Sequence, residues 1–172
     1  DRTLARPRPD RRVADGLRLH RAVDVYTDAH PAVLAAKAMF EPPLRRYTGI
    51  LLDVWFDHIL ALDFARWSAT PLAAFSARIN GVLAANLPLL SPALRHFAGY
   101  MAARGLPAAY VDPVEIERAL HGISSRLRRE NPLADALPEL QRRAAGLHAA
   151  FGAFFPQVRD HAARWRRDRG YA

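Results

Sequence analysis

Apolar residues recur three and four positions apart along the stretches that separate the prolines of this chain. This spacing places them on one face of an α-helix. The chain contains no alternating strand pattern, no glycine-rich phosphate loop and no repeat period. The pattern therefore predicts an all-α fold, a compact bundle-like single domain of about seven helices spanning residues 1–172.

Prolines and capping residues set the predicted helix boundaries. Serine, threonine or aspartate precedes a proline at three of the expected helix starts, a combination that supplies an N-cap and a first-turn proline. Residues 1–10 carry two prolines and are expected to form a loop. The predicted helices run from Asp10 to about Tyr26, Pro31 to Phe40, Leu44 to Asp63, Thr70 to Ala85, Ser91 to Gly105, Asp112 to about Arg129 and Pro138 to Arg169, the last interrupted near Pro156.

Acids and histidines occur at helical spacing on two of these helices. His20 and Asp24 are four residues apart, as are Asp53 and Asp57, and His58 follows directly. Residues four apart lie one turn above each other on the same helix face. Two helices with such faces could hold a divalent metal between them, because metals need convergent imidazole and carboxylate ligands.

The first of these faces continues an apolar stripe. Val13 and Leu17 precede His20 and Asp24 at helical spacing, so we expect the polar pair to point toward the interior. Carboxylates rarely enter a core without a partner charge or a metal. The alternative stays open, since polar pairs at this spacing are common on helices. In that case the polar residues cap helices, face solvent or pair with arginines; the nearby arginines are Arg21, Arg45 and Arg46.

Three further expectations concern local positions. Asp28 is expected to cap the second helix, and His30 to be exposed. The basic run at 121–129 could bind phosphate, or could be a solvated helix end beside the negative end of the helix dipole. Three phenylalanines are expected to pack in the core: Phe151, Phe154 and Phe155.

Composition adds a strong positive charge. The net charge is +8, and 24 of the 25 basic residues are arginine, Lys37 being the exception. Guanidinium groups make bidentate contacts to phosphates and carboxylates, so the surface favours phosphate groups or acidic partners. The absence of cysteine excludes disulfides and thiolate sites. With no apolar membrane span and no signal peptide pattern, we expect a soluble cytoplasmic protein.

Considered together, these runs resemble the bacterial acyl carrier protein phosphodiesterase family. The G-I-x-x-H-R-x-I-D-x-x-T-D run of that family is matched by Gly16, His20, Arg21, Asp24, Thr27 and Asp28. Its R-R…L-D-V-x-x-D-H run is matched by Arg45, Arg46, Leu52, Asp53, Val54, Asp57 and His58. Later matches are Leu120, Gly122, Ile123, Ser124, Ser125 and Arg126, then Phe151, Phe154, Phe155 and Pro156. The likeness covers nearly the whole chain.

The resemblance implies an HD-phosphohydrolase-like helical fold and a metal-dependent hydrolase of lipid metabolism. Such an enzyme removes the phosphopantetheine arm from holo-acyl carrier protein and returns the apo form. Mn²⁺ is the implied metal, with Mg²⁺ or Fe²⁺ as alternatives. The implied metal ligands are His20, Asp24, Asp53, Asp57 and His58. The implied contacts to phosphate or carrier are Arg21, Arg45, Arg46 and Arg126. The carrier protein is acidic, which suits a basic surface.

One departure concerns the N-terminus. Members of the family begin with a helix and a G-N-L-x-x-D motif whose aspartate is catalytic, and neither is present here. We expect Asp1 to be that aspartate, acting with Asp24, and the preceding helix to be missing. The metal shell of this chain would then be incomplete.

Two other classes of function remain open. One is an HD-like phosphohydrolase of a nucleotide or another small phosphodiester, which would not need a carrier protein for tight binding. The other is a non-catalytic basic helical module that binds an acidic protein or nucleic acid. Aromatic and basic residues do not interleave outside the expected core, so nucleic acid is the less favoured partner.

Overall fold

The computed structural model describes residues 11–170, and all regular structure in that range is helical, which confirms the all-α prediction. Nine α-helices are present there, where about seven were expected. Their bounds are α1 Arg11–Ala29, α2 Pro31–Ala38, α3 Thr48–Leu62, α4 Phe64–Trp67, α5 Leu72–Ala85, α6 Pro92–Arg104, α7 Pro113–Ser124, α8 Leu137–Arg142 and α9 Ala144–Arg167. Short 3₁₀ helices span Leu44–Tyr47, Leu87–Leu89 and Ala108–Val111.

Capping explains why several helices begin and end where the sequence predicts. The Ser91 hydroxyl accepts a hydrogen bond from the Leu94 amide at 3.3 Å, and Asp112 Oδ1 accepts one from the Val114 amide at 2.9 Å. Both caps are followed by a proline in the first turn. Gly105 ends α6 with a φ of 67°, a left-handed conformation that glycine adopts without a Cβ penalty.

Helix α7 is shorter than expected, and the side chain of Asn131, seven residues after its last residue, bonds to the carbonyl at its end. It ends at Ser124 rather than near Arg129. The Asn131 amide donates to the Ser124 carbonyl at 3.2 Å and to the Arg129 carbonyl at 3.0 Å. These bonds satisfy carbonyls that a longer helix would have paired with its own amides.

The long C-terminal helix is continuous through Pro156, contrary to the expected interruption. A proline inside a helix costs about 3 kcal/mol. The apolar stripe is buried on both sides of it, through Phe151 and Phe154 before and Val158 after. Each such side chain contributes about 1.5–3 kcal/mol when buried, so burial outweighs the lost hydrogen bond. The core packing expected for Phe151 and Phe154 is confirmed.

The break between helices falls instead at Arg143, between α8 and α9. Its Nε donates to the Met39 carbonyl at 2.7 Å, and its guanidinium lies over the Phe40 ring, 5.0 Å from the centroid. Both partners are about one hundred residues away in the sequence. A tertiary contact with no local signal therefore decides this boundary.

The chain divides into two compact units. The described part of the first consists of residues 11–36 and 149–170, and the second is Lys37–His148. In the first unit, the Tyr26 ring stacks on His161, with centroids 4.4 Å apart. His30 lies 5.2 Å from Phe154 and is buried, so the expectation that it is exposed was wrong. Its Nδ1 accepts from the Ala32 amide at 3.2 Å and caps α2.

Helix α1 does not bury the stripe that the pattern singled out. Val13 and Leu17 are about half exposed, and the side chains of His20 and Asp24 are 71% and 54% exposed. The prediction that this pair points to the interior was wrong. A different face of α1 packs instead, the one with the buried side chain of Asp15 and with Tyr26, whose ring stacks on His161.

In the second unit, α3 is the central element. It contacts the 3₁₀ helix Ala108–Val111 and α7, and it buries a series of side chains. These are Leu51, Leu52, Val54, Trp55, His58 and Ile59. Helices α5 and α6 pair with each other, and α5 also contacts the Ala108–Val111 segment. None of the helices between residues 11 and 170 is long and apolar enough to cross a lipid bilayer.

Candidate functional site

An open groove of about 930 Å³ lies in the second unit, along α6, α7 and one face of α3. Its apolar surface comes from α3, α6 and α7, and its polar surface from arginine, histidine and serine side chains. The lining side chains include Val54, His96, Phe97, Tyr100, Arg104, Tyr110, Val114, Arg118, His121, Ile123 and Arg126. The groove thus contains Arg126 and the neighbouring Gly122, Ile123 and Ser125, a sequence run singled out above.

One wall of the groove is held by a buried carboxylate. Glu115, only 6% exposed, accepts a hydrogen bond from Arg104 Nε at 3.1 Å, a second from the same guanidinium and a third from Arg118. The hydrogen bonds from Arg104 and then Arg118 hold the pKa of Glu115 below its usual range. Bonding to Glu115 in turn raises the pKa of Arg104. Both arginines are therefore fixed as cations beside the groove.

The polar residues Asp53, Asp57 and His58, here called the α3 motif, lie on α3 next to this groove. His58 is buried, and its Nδ1 donates to the Tyr110 carbonyl at 2.6 Å. A proton on Nδ1 leaves Nε2 as the lone-pair nitrogen, the arrangement that metal-binding histidines adopt. The same bond also serves the fold, since it joins α3 to the Ala108–Val111 segment.

Asp57 is a titratable group of α3 whose pKa is strongly perturbed. Displacement of water by surrounding protein, and then repulsion from Asp53, raise the pKa of Asp57 to about 6. Solvent still reaches its side chain. Two like charges one helical turn apart disfavour joint ionisation, and a cation between them would relieve that repulsion.

Tyr110 connects Asp57 to the groove. It lines the groove, and burial followed by the negative charge of Asp57 raises the pKa of its phenol to about 12. The phenol is therefore neutral at physiological pH and can donate a hydrogen bond to a ligand in the groove.

The α1 motif lies in the first unit and is exposed. His20 Nε2 is 3.5 Å from Asp24 Oδ2, and Arg21 is exposed beside them. Arg45 and Arg46 are exposed on the 3₁₀ helix that precedes α3, and Arg46 lies over the Tyr47 ring at 5.2 Å.

The residues that the structure describes do not by themselves form a metal centre. Between residues 11 and 170, no group of three or more histidine, aspartate or glutamate side chains is close enough to hold one ion. His20 and Asp24 form one pair, and Asp53 and Asp57 interact electrostatically as a second. Asp1, the expected catalytic aspartate, lies outside the described residues.

Several residues near these sites carried no sequence signal. The aromatic pair Phe97 and Tyr100 lines the groove, as does His96, and their positions along α6 show only ordinary helical spacing. His148 Nε2 lies 3.0 Å from Asp63 Oδ2, and its partner is far away in the sequence. His161 stacks on Tyr26, and no spacing along α9 indicates this partner. Only three-dimensional packing shows these contacts.

Comparison with known proteins defines the class of the molecule. An acyl carrier protein phosphodiesterase from Enterobacter sp. is 33% identical over 147 residues, which are 85% of this chain and 76% of that protein. The namesake from Serratia proteamaculans is 32% identical over 151 residues, 87% of this chain and 78% of its own length. The one from Salmonella agona is 31% identical over 153 residues, which are 88% of this chain and 79% of that protein. These relatives make the chain a phosphoric diester hydrolase by class.

The family assignment follows from a match that spans most of the sequence. The family model described as acyl carrier protein phosphodiesterase matches residues 4–158. The chain belongs to the acyl carrier protein phosphodiesterase family. No solved structure matches it, so the HD-phosphohydrolase-like character of the fold stays a prediction.

Proposed function

We propose that this protein hydrolyses the phosphodiester that joins the phosphopantetheine arm to holo-acyl carrier protein, releasing the arm and the apo carrier in the cytoplasm. The observation that supports this most is the family match over residues 4–158, together with relatives whose printed name is acyl carrier protein phosphodiesterase. The net charge of +8 adds a physical reason, because an acidic carrier is attracted to an arginine-rich surface.

Arginines are the proposed contacts to the substrate. Arg21, Arg45 and Arg46 are exposed and can meet the acidic carrier without losing a buried partner. Arg126 lines the groove and is proposed to bind the phosphate of the arm. A guanidinium placed there would stabilise negative charge on the phosphoryl oxygens as the ester bond breaks.

A divalent cation, Mn²⁺ ahead of Mg²⁺ or Fe²⁺, is part of the proposal. When bound, it would supply an activated water and neutralise phosphoryl charge. The proposed ligands are His20, Asp24, Asp53, Asp57 and His58. What supports them is the His58 tautomer, the His20–Asp24 contact and the repulsion between Asp53 and Asp57. Asp1 is proposed to act with Asp24 in catalysis.

The substrate is tested with protein purified with its native N-terminus. Holo-acyl carrier protein and bis(p-nitrophenyl) phosphate are compared by kcat/KM. We expect the carrier to be preferred by at least about tenfold, because binding energy from the carrier contributes to the reaction at the phosphate. The preference should fall as salt screens the carrier's charge. An equal or greater rate on the small diester would favour a phosphohydrolase of small molecules instead.

The cation and its ligands are tested in the same assay. Chelation should abolish turnover, and Mn²⁺ should restore it. Asp24→Asn should lower kcat by at least about a hundredfold, whereas Asp160→Asn, a matched change at an exposed site on α9, should leave it unchanged. Full activity in chelator, or in Asp24→Asn, would refute the proposed metal site.

A further inference from the structure

The groove of the second unit has the shape of a ligand site. Its volume of about 930 Å³ falls in the upper part of the range for small-molecule pockets, about 300–1,000 Å³. A single phosphate or a metal ion would fill only a small part of it. Its volume therefore leaves room for a larger ligand than either of these.

The lining of the groove combines two kinds of chemistry. On the α6 side, Phe97 and Tyr100 are 43% and 36% exposed, with ring centroids 6.5 Å apart. Val114, on α7, is also exposed to the groove. Exposed aromatic and aliphatic side chains within one concave surface are unfavourable in water and favour an uncharged chain as a partner.

One arginine in the same groove has no partner among residues 11–170. Arg104 and Arg118 are bound to Glu115, but the Arg126 side chain makes no hydrogen bond or ion pair with the part of the chain that the structure describes. His121 and Ser125 also line the groove and can donate further hydrogen bonds. An anionic group on the ligand would therefore bind near Arg126.

The groove is also continuous with the motif on α3. Val54, part of its lining, is on the same helix as Asp57 and one turn before it. Tyr110 lines the groove as well, and its backbone carbonyl accepts the His58 hydrogen bond. A ligand in the groove would therefore contact Val54 and Tyr110, the neighbours of Asp57 and His58.

We propose that this groove binds the pantetheine arm of the substrate, with Phe97 and Tyr100 against its chain and Arg126 on its phosphate. The proposal rests on the proposed function, since it takes the carrier-bound arm as the occupant. An arm carries one phosphate at one end of a long, otherwise uncharged chain, which matches an aromatic surface and Arg126, an arginine that no other described residue pairs with. Phe97 and Tyr100 then determine specificity and are not catalytic.

Binding is tested with free 4′-phosphopantetheine and with pantetheine, which lacks the phosphate, by isothermal titration calorimetry. Phe97→Ala should weaken binding of both compounds by about tenfold, the effect of losing part of the apolar area that an aromatic side chain buries when the ligand binds. Arg126→Ala should weaken binding of phosphopantetheine by about tenfold and leave pantetheine unaffected. Circular dichroism checks that each variant is folded.

Two matched controls lie outside the groove, one on α6 with Phe97 and one two residues after Arg126. Leu94→Ala removes a half-exposed apolar side chain from α6, and Arg128→Ala removes an arginine near Arg126. Neither residue lines the groove, so both variants should bind both compounds with wild-type affinity. Equal weakening in the controls, or no weakening in Phe97→Ala, would overturn the proposal.

Kinetics separate this proposal from the proposed function. On holo-acyl carrier protein, Phe97→Ala should raise KM by about tenfold with kcat little changed, since it removes binding that the ground state and transition state share. A protein that cleaves the carrier with an unchanged KM in Phe97→Ala would overturn the groove assignment and leave the function intact. A protein that binds phosphopantetheine through Phe97 but does not cleave the carrier would overturn the proposed function and leave the groove assignment intact.

Discussion

Removal of Glu115 should destabilise the second unit, and the structure allows the size of the effect to be worked out. Glu115 is buried and accepts hydrogen bonds from both Arg104 and Arg118. Charge-assisted hydrogen bonds contribute about 1.5–3 kcal/mol each, and removing one member of a buried pair costs about 3–5 kcal/mol. The arginine side chains are 35% and 52% exposed, so they regain water when the carboxylate is lost. We therefore expect Glu115→Ala to cost about 2–3 kcal/mol.

Thermal unfolding followed by circular dichroism measures this loss. For a protein of this size, about 1 kcal/mol changes Tm by about 2–4 °C, so Glu115→Ala should melt about 4–12 °C below wild type. Glu117→Ala is the matched control, because Glu117 is exposed on the same helix. Its free energy of unfolding should differ from that of wild type by no more than about 0.5 kcal/mol, so its Tm should change little. Equal Tm values for the two variants would refute the assignment of Glu115 as a structural anchor.

The same carboxylate predicts a pH dependence of defined sign. Its pKa is lowered in the folded state, mainly by the hydrogen bond from Arg104. A lowered pKa contributes stability that is present above the unfolded value, about 4.3, and is lost as pH falls through the folded value. The Tm difference between wild type and Glu115→Gln should therefore be largest near neutral pH and shrink below about pH 4. A difference that grows on acidification would contradict this account.

Three further predictions use the same melting assay in chelator. Gly105→Ala should cost about 1 kcal/mol, because its positive φ disfavours any Cβ even though no atom lies within 4 Å of the added one. Gly99→Ala, within α6 and equally unobstructed, should instead stabilise the fold by about 0.5–1 kcal/mol. Asp57→Asn should raise Tm at pH 8 but not at pH 4. The folded-state pKa of about 6 means that the charged carboxylate destabilises the fold above that pH, and asparagine removes this charge. A gain in Tm confined to pH 4 would contradict this. Asn131→Ala should cost about 1 kcal/mol, with an unchanged Tm counting against its role at the end of α7.

Local signals predicted much of the fold. The Ser91 and Asp112 caps and the prolines that follow them act within a few residues, so the starts of α6 and α7 could be predicted. The end of α7 involves the Asn131 side chain, which bonds back across seven residues, and the break at Arg143 involves Met39, about one hundred residues away. Periodicity alone could not identify these partners.

The candidate site was predicted less completely, for a similar reason. Spacing identified His58, and the structure adds that a carbonyl from another segment orients its ring. Helical periodicity on α1 indicated a buried stripe through Asp24, but the contact between Tyr26 and His161 places a neighbouring face inside. Phe97 belongs to the groove only because α6 packs near α7 and α3, which no local pattern in α6 could show.

The most direct test of the central claim is the fate of oxygen when holo-acyl carrier protein is incubated with protein purified with its native N-terminus and Mn²⁺ in heavy-oxygen water. Attack of water on phosphorus predicts that intact-protein mass spectrometry finds apo carrier with an unlabelled serine, and that the released phosphopantetheine carries the heavy oxygen in its phosphate. A carrier that keeps its arm, or a carrier serine that gains the label, would contradict the account.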